Sequence, residues 1–188
     1  MTYQKRAFDL FLVIFLIFFL IFPMLIIALL VKLTSRGPAI HWSKRVGYMG
    51  NIFLMPKFRT MNKDAPQLAT NLLKNKEVIT SFGKFLRKYS LDELPQLFSI
   101  LRGEMSFVGP RPALFNQYKL IKMRDEHKIH LILPGITGWA QVNGRDSISL
   151  EKKVFYDKEY IDRMRFSFDL KIILLTVLKV LNKDNISH

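Results

Sequence analysis

The chain has 188 residues, the length of one domain with at most a small appendage. It carries 29 Lys and Arg against 15 Asp and Glu, a formal charge of +14, yet 49% of it is hydrophobic, which excludes a disordered basic tail. Having no cysteine, it has no disulfide framework, thiolate metal site or cysteine nucleophile, and its 4 scattered histidines (His41, His127, His130, His188) leave little for a histidine metal site. So basic a chain calls for anionic partners: nucleic acid, nucleotide, lipid phosphate or an acidic membrane surface.

The apolar residues are concentrated at the N-terminus. Leu10 to Val31 is a run of 22 residues without a charge, about 33 Å as a straight helix against a bilayer core of about 30 Å. A cleaved signal peptide fits poorly, because the run is long and no small-x-small cleavage site follows it. A single transmembrane anchor is the plain reading. Two features favour another. Pro23, near the middle, removes a helical hydrogen bond and predicts a kink or break. Basic residues flank both ends, Lys5 and Arg6 before and Lys32, Arg36, Lys44 and Arg45 after, which puts both ends on one membrane face. A helix that enters, bends at Pro23 and returns satisfies both.

Beyond the anchor, 39–61 predicts two short strands around a turn at Gly47–Asn51. The stretch 62–79 is polar and predicts a loop with a short helix. Phe82, Phe85, Leu86 and Tyr89 fall at helical spacing, as do Leu94, Leu97, Phe98 and Leu101, with Gly103 as a stop. Helices are also predicted over 112–126 and 149–164. The last, Phe166 to Leu181, has only Asp169, Lys171 and Lys179 charged; at 16 residues it is short for a span and suits a helix in the interface or one closing the core.

Residues 41–90 hold ten Lys or Arg and only Asp64 and Glu77 as acids. Such a block beside a membrane segment attracts anionic headgroups at about 1 kcal/mol per basic residue; an ordinary solvated surface is the bland alternative. No nucleic-acid motif accompanies it.

The chemistry is expected in 87–112, RKYSLDELPQLFSILRGEMSFVGPRP. Two readings of Asp92 and Glu93 are open. Ser90-x-x-Glu93 matches a capping box, and acids in a first turn are favoured by the helix dipole by about 0.3–1 kcal/mol each. Alternatively they act on a phosphate: an ionised aspartate needs no base to serve as nucleophile, and Glu93 suits Mg²⁺, which takes one or two carboxylates plus substrate phosphates. Arg87, Arg111 and Arg145 have the fork geometry for phosphate oxygens. Arg111 lies in Gly109-Pro110-Arg111-Pro112, where Pro112 suits the first position of a helix and Arg111 would border an anion site; it also reads as a surface turn. In 134–145, PGITGWAQVNGR, the glycines allow sharp turns, Asn143-Gly144 would present Arg145 at a loop tip, and Trp139 reads as core.

Together, SLDELPQLFSILRGEMSFVGPRP and PGITGWAQVNGR resemble the two signatures of the bacterial sugar transferases, the monotopic phosphoglycosyl transferases. KFRTM (57–61), the N-terminal apolar segment with its central proline, and DLKIILLTVLKVL match too, so the resemblance covers nearly the whole chain. It implies transfer of a phosphosugar from a UDP-sugar to polyprenyl (undecaprenyl) phosphate, with release of UMP. Asp92 matches the family's nucleophile, which forms a covalent phosphosugar intermediate; Glu93 matches its partner, and the two would hold Mg²⁺. Lys57, Arg87, Arg111 and Arg145 fall on basic positions suited to phosphate or nucleotide. Pro23 matches the proline that breaks a re-entrant membrane helix; Phe22 departs from the serine often found before it.

The expected fold is therefore α+β and mostly helical. A re-entrant membrane helix hairpin (1–36) would anchor a compact cytosolic catalytic domain (37–188), docked through interfacial amphipathic helices on the cytoplasmic face of the bacterial inner membrane. The expected partners are a UDP-sugar, a polyprenyl phosphate lipid and the membrane, without nucleic acid; the oligomeric state, homodimer included, is open. The competing classes are a membrane-anchored adaptor that binds anionic lipid without catalysis, and a Mg²⁺-dependent lipid phosphatase or pyrophosphatase.

Overall fold

The computed structural model describes residues 2–62, 78–144 and 147–181. The polar stretch assigned above to a loop and short helix lies mostly outside these residues, as does Arg145.

Helix α1 (Tyr3–Thr34) is 32 residues long, capped by Thr2, whose side chain accepts from the Lys5 amide. Pro23 lies inside it without ending it, so one helix, not two, covers the apolar segment. An interior proline loses its N–H and crowds the carbonyl four residues back, which bends a helix without having to end it, and Leu20 and Met24 on either side pack into the fold. Asp9, Val13, Met24 and Val31 form a buried stripe along α1, whereas residues such as Phe18, 76% exposed, form an uncovered apolar face. By length and composition α1 is able to cross a membrane.

Both ends of α1 are tied to the rest of the chain. Near its start, the Lys5 ammonium donates to Tyr160 Oη (3.2 Å) and pairs with Asp169, and Arg6 donates to the carbonyls of Ile100 (2.8 Å) and Leu101 (3.2 Å). Past its end, the Ser35 carbonyl and hydroxyl accept from Arg59 Nη2 at 2.6 and 2.8 Å.

The predicted strand pair forms as an antiparallel hairpin, β1 (Ile40–Val46) and β2 (Ile52–Phe58), in the register Ile40↔Phe58 to Val46↔Ile52. Helix α2 (Ser81–Lys88) follows, capped by the Thr80 side chain. Next come a 3₁₀ turn (Leu91–Gln96) and helix α3 (Leu97–Leu101). The capping box does not form: Ser90 is left-handed (φ 55) and its side chain makes no cap bond. Pro95, lacking an N–H, is better tolerated in this tight turn than in the α-helix interior.

Pro112 does not begin a helix either. The segment after it runs alongside β1, with Val46 N donating to the Ala113 carbonyl (3.0 Å), and helix α4 starts only at Tyr118 (Tyr118–Glu126). Two short strands escaped periodicity altogether: β3 (Ser106–Val108) and β4 (Gly135–Thr137), which pair in parallel. A Cβ on Gly135 would collide with the backbone of Gly109, so only glycine lets the two loops approach there. Helices α5 (Trp139–Val142), α6 (Leu150–Asp162, capped by Ser149) and α7 (Phe166–Leu181) complete the chain.

The largest cluster of buried side chains joins Val13 of α1, Met55 of β2, Leu97 and Ile100 of α3, Phe107 and Val108 of β3, and Phe168 and Ile172 of α7. Its buried apolar area is the main stabilising term. Trp139 packs against this cluster, as expected of a core residue, and its Nε1 donates to Glu159 (2.7 Å). The cluster holds α3, and the turn leading into it, between the hairpin and α1.

Candidate active site

Three elements converge on the 3₁₀ turn. The left-handed Ser90 reverses the chain after α2, so that Asp92 and Glu93 point inward and are only 7% and 8% exposed. Two adjacent carboxylates are costly to bury unless cations meet them. Strand β2 supplies Lys57, whose Nζ lies 2.8 Å from Glu93 Oε1. The loop after β3 supplies Arg111, whose Nη2 lies 2.6 Å from the same oxygen while Nη1 reaches Oε2 at 3.3 Å. Helix α2 contributes Arg87, held by its Nε–Thr60 Oγ1 hydrogen bond (2.9 Å).

The two acids therefore differ. Glu93 is gripped by an ammonium and a guanidinium. Among the described residues none hydrogen-bonds the Asp92 carboxylate. Burial pushes the Asp92 carboxyl above the usual carboxylate range, and the like charge of Glu93 adds to this, against Lys57, Arg87 and Arg111. Burial likewise draws the Lys57 ammonium below its ordinary value, opposed most strongly by Glu93. An underused carboxylate facing cations in a poorly solvated setting is suited to attack an anionic phosphorus centre.

The structure thus brings together Asp92, Glu93, Lys57, Arg87 and Arg111 of the residues singled out from sequence. Pro23 sits apart, within α1. Four residues that support the site were missed. Arg45 donates to Ser43 Oγ (3.0 Å) and to the Pro112 carbonyl (3.1 Å), tying the Arg111 loop to β1. Thr60 positions Arg87. Arg124 donates from Nη1 to the Arg111 carbonyl (2.8 Å) and is paired with the buried Asp157 (2.6 and 3.0 Å). Strand alternation does place Arg45 on the Lys57 face of the hairpin, a signal available from sequence; nothing in the sequence links Arg124 to Arg111.

Residues 1–183 match the family model described as bacterial sugar transferase. The chain belongs to that family. An uncharacterized sugar transferase of Bacillus subtilis (strain 168), EpsL, is 43% identical over 184 residues, 98% of this chain and 90% of that protein. The UDP-glucose:undecaprenyl-phosphate glucose-1-phosphate transferase of Escherichia coli (strain K12) is 43% identical over 183 residues, 93% of this chain. That of Xanthomonas campestris pv. campestris is 42% identical over 166 residues, 84% of this chain. The chain spans only 39% and 34% of the length of these two relatives.

In this sugar transferase the fit of a divalent ion depends on charge. Among the described residues no cluster of three or more acidic or histidine side chains is ready to hold a metal. The adjacent carboxylates are nevertheless a donor set that Mg²⁺ takes together with phosphate oxygens. Among the described residues Lys57, Arg87 and Arg111 exceed Asp92 and Glu93 by one formal charge, so a divalent ion would fit this donor set in the company of an anionic ligand rather than alone.

Proposed function

We propose that the chain is a phosphoglycosyl transferase, which moves a phosphosugar from a UDP-sugar to polyprenyl (undecaprenyl) phosphate through a covalent intermediate on Asp92. The observation that carries this reading is the buried Asp92 carboxylate, without a hydrogen bond among the described residues yet surrounded by Lys57, Arg87 and Arg111. The names of the Escherichia and Xanthomonas relatives support the acceptor class.

In the first step an Asp92 oxygen attacks the phosphorus that bears the sugar. The bond to the bridging oxygen breaks, and UMP departs with that electron pair. In the second, an oxygen of the lipid phosphate attacks the same phosphorus and releases the Asp92 carboxylate. No water, oxidant or external base is consumed. Arg87 and Arg111 neutralise the equatorial oxygens in both steps, and Lys57 keeps Glu93 in place beside the nucleophile. Mg²⁺, held by Glu93 with Asp92, supplies further positive charge to the phosphate oxygens when bound. Arg145 is assigned to nucleotide or phosphate on the resemblance alone.

Since both ends of α1 are fastened to the same body, we place both ends on one face of the bilayer, the cytoplasmic face of the inner membrane, with the continuous helix bending at Pro23 and residues 37–188 as the catalytic domain. Asp92 would then meet a lipid phosphate at headgroup depth without extracting it.

The test is mass spectrometry of the protein mixed with UDP-sugars in the absence of lipid. A phosphosugar adduct on Asp92, and its loss together with turnover by on the order of 10⁴ or more in a folded Asp92→Asn variant, are expected. An adaptor would release no UMP and tolerate Asp92→Ala; a phosphatase would release inorganic phosphate.

A further inference from the structure

The β1–β2 hairpin has two faces. Register places His41, Ser43 and Arg45 with Phe53, Met55 and Lys57 on the inner one, where Met55 joins the core and Lys57 reaches Glu93. The outer face carries the pairs Ile40↔Phe58, Trp42↔Pro56, Lys44↔Leu54 and Val46↔Ile52. A hairpin with one face in water normally alternates, with polar residues outward. Here the outward set is apolar apart from Lys44.

The base of that face is covered, where Phe58 and Ile40 pack with Met24 and Val31 of α1 and with Leu86 of α2, and Pro56 beside it is buried too. Further out, Trp42, Leu54 and Ile52 are 50%, 48% and 55% exposed. The uncovered part thus continues from the flank of the helix that bears the chain's large apolar surface.

We infer that the outer face of the hairpin is a second membrane-contact surface, lying in the headgroup layer of an anionic bilayer. Three observations select this occupant. The residues are those of a membrane interface, an amphipathic tryptophan with aliphatic side chains and a lysine whose stem can lie along them while its ammonium stays among phosphates. The charge is complementary: the chain bears +14, and Lys32 and Arg36 stand where α1 leads into the hairpin. A second copy fits badly. Seven-residue strands give a face of roughly 24 by 10 Å, about 240 Å², against the roughly 800 Å² per partner of a stable interface. A two-fold contact would also set Lys44 close to its counterpart, between two strongly cationic bodies.

The consequence is positional. One side of a two-stranded plate rests on headgroups while the other presents Lys57 to the Asp92–Glu93 turn, so the hairpin holds the site at the depth of a lipid phosphate. This rests on α1 being in the membrane and not on the transfer chemistry.

The chain has 2 tryptophans, Trp42 and Trp139, so the Trp42 emission is the difference between the protein and a Trp42→Phe variant. Both are reconstituted in phosphatidylcholine–phosphatidylglycerol vesicles. The expected Trp42 signal is blue-shifted, quenched by lipids brominated near the headgroup end of the acyl chain, and shielded from acrylamide. Ile52→Asp with Leu54→Asp, at exposed positions, should reverse that pattern. Quenching by acrylamide but not by brominated lipid puts the face in water and overturns the inference. Shielding from both, with cross-linking of two copies through Leu54→Cys, also overturns it by assigning the face to a second chain. None of these readouts needs turnover, so an inactive protein with a lipid-quenched Trp42 would count against the enzymatic reading alone.

Discussion

The Arg124 guanidinium donates to the backbone carbonyl of Arg111 at 2.8 Å, while its other edge is held by Asp157, which is itself buried. Arg111 in turn grips Glu93. The ion pair between α4 and α6 thereby sets the position of a cation in the site. Removing one partner of such a pair leaves an uncompensated buried charge. Asp157→Ala is expected to cost about 3–5 kcal/mol in urea unfolding. Arg124→Lys, which keeps the charge but loses the fork, is expected to lower kcat with a smaller loss of stability; unchanged turnover would show that Arg111 needs no such support.

Thr60 plays the same part for Arg87. In Thr60→Val the Arg87 Nε loses its hydroxyl acceptor, so kcat should fall by on the order of tenfold or more while the fold is kept, and Thr60→Ser should restore most of it. Gly83 allows α2 to lie against the Thr60 carbonyl, where a Cβ would collide with backbone. Gly83→Ala should therefore cost about 1–3 kcal/mol and displace Arg87 too, read as a lowered thermal midpoint together with reduced turnover.

For α1, the absence of native cysteine makes a clean topology experiment possible. Single cysteines at positions 2 and 37 should both react with an impermeant maleimide from the cytoplasmic side, because Lys5, Arg6 and Ser35 are fastened to the same body. Labelling from opposite sides would establish a single span instead.

Charge predicts how Mg²⁺ binds. Among the described residues, Lys57, Arg87 and Arg111 outnumber Asp92 and Glu93 by one formal charge before any ligand arrives. Mg²⁺ alone should leave the thermal midpoint unchanged, and Mg²⁺ with a UDP-sugar should raise it above the value with the nucleotide sugar alone. Chelation should abolish turnover. A clear shift with Mg²⁺ alone would mean that the carboxylates bind the ion unaided.

Much of this molecule is legible in local pattern. The apolar run predicts α1, the two short runs around Gly47–Asn51 predict the hairpin, helical spacing predicts α2, and local composition predicts α6 and α7, since each of these signals depends on near neighbours in the chain. Where the sequence reading erred, a longer-range partner intervened. Ser90 and Glu93 have the spacing of a cap, yet the chain turns left-handed there and carries Glu93 to Lys57 and Arg111. Pro112 suits a helix start, yet β1 claims the segment that follows it. Strands β3 and β4 are too short to show periodicity and exist because they pair with each other.

The amino-acid sequence by itself determined the family, the apolar anchor, the basic character and the acids and bases eligible for phosphate chemistry, because composition and motif spacing are properties of the chain alone. Only the tertiary structure decided which of two adjacent carboxylates is held and which is left without a hydrogen bond among the described residues. Lys57, Arg111 and Glu93 are distant in sequence; their meeting follows from the packing of the hairpin and α1 around α3, and burial then makes the difference between Asp92 and Glu93 a chemical one.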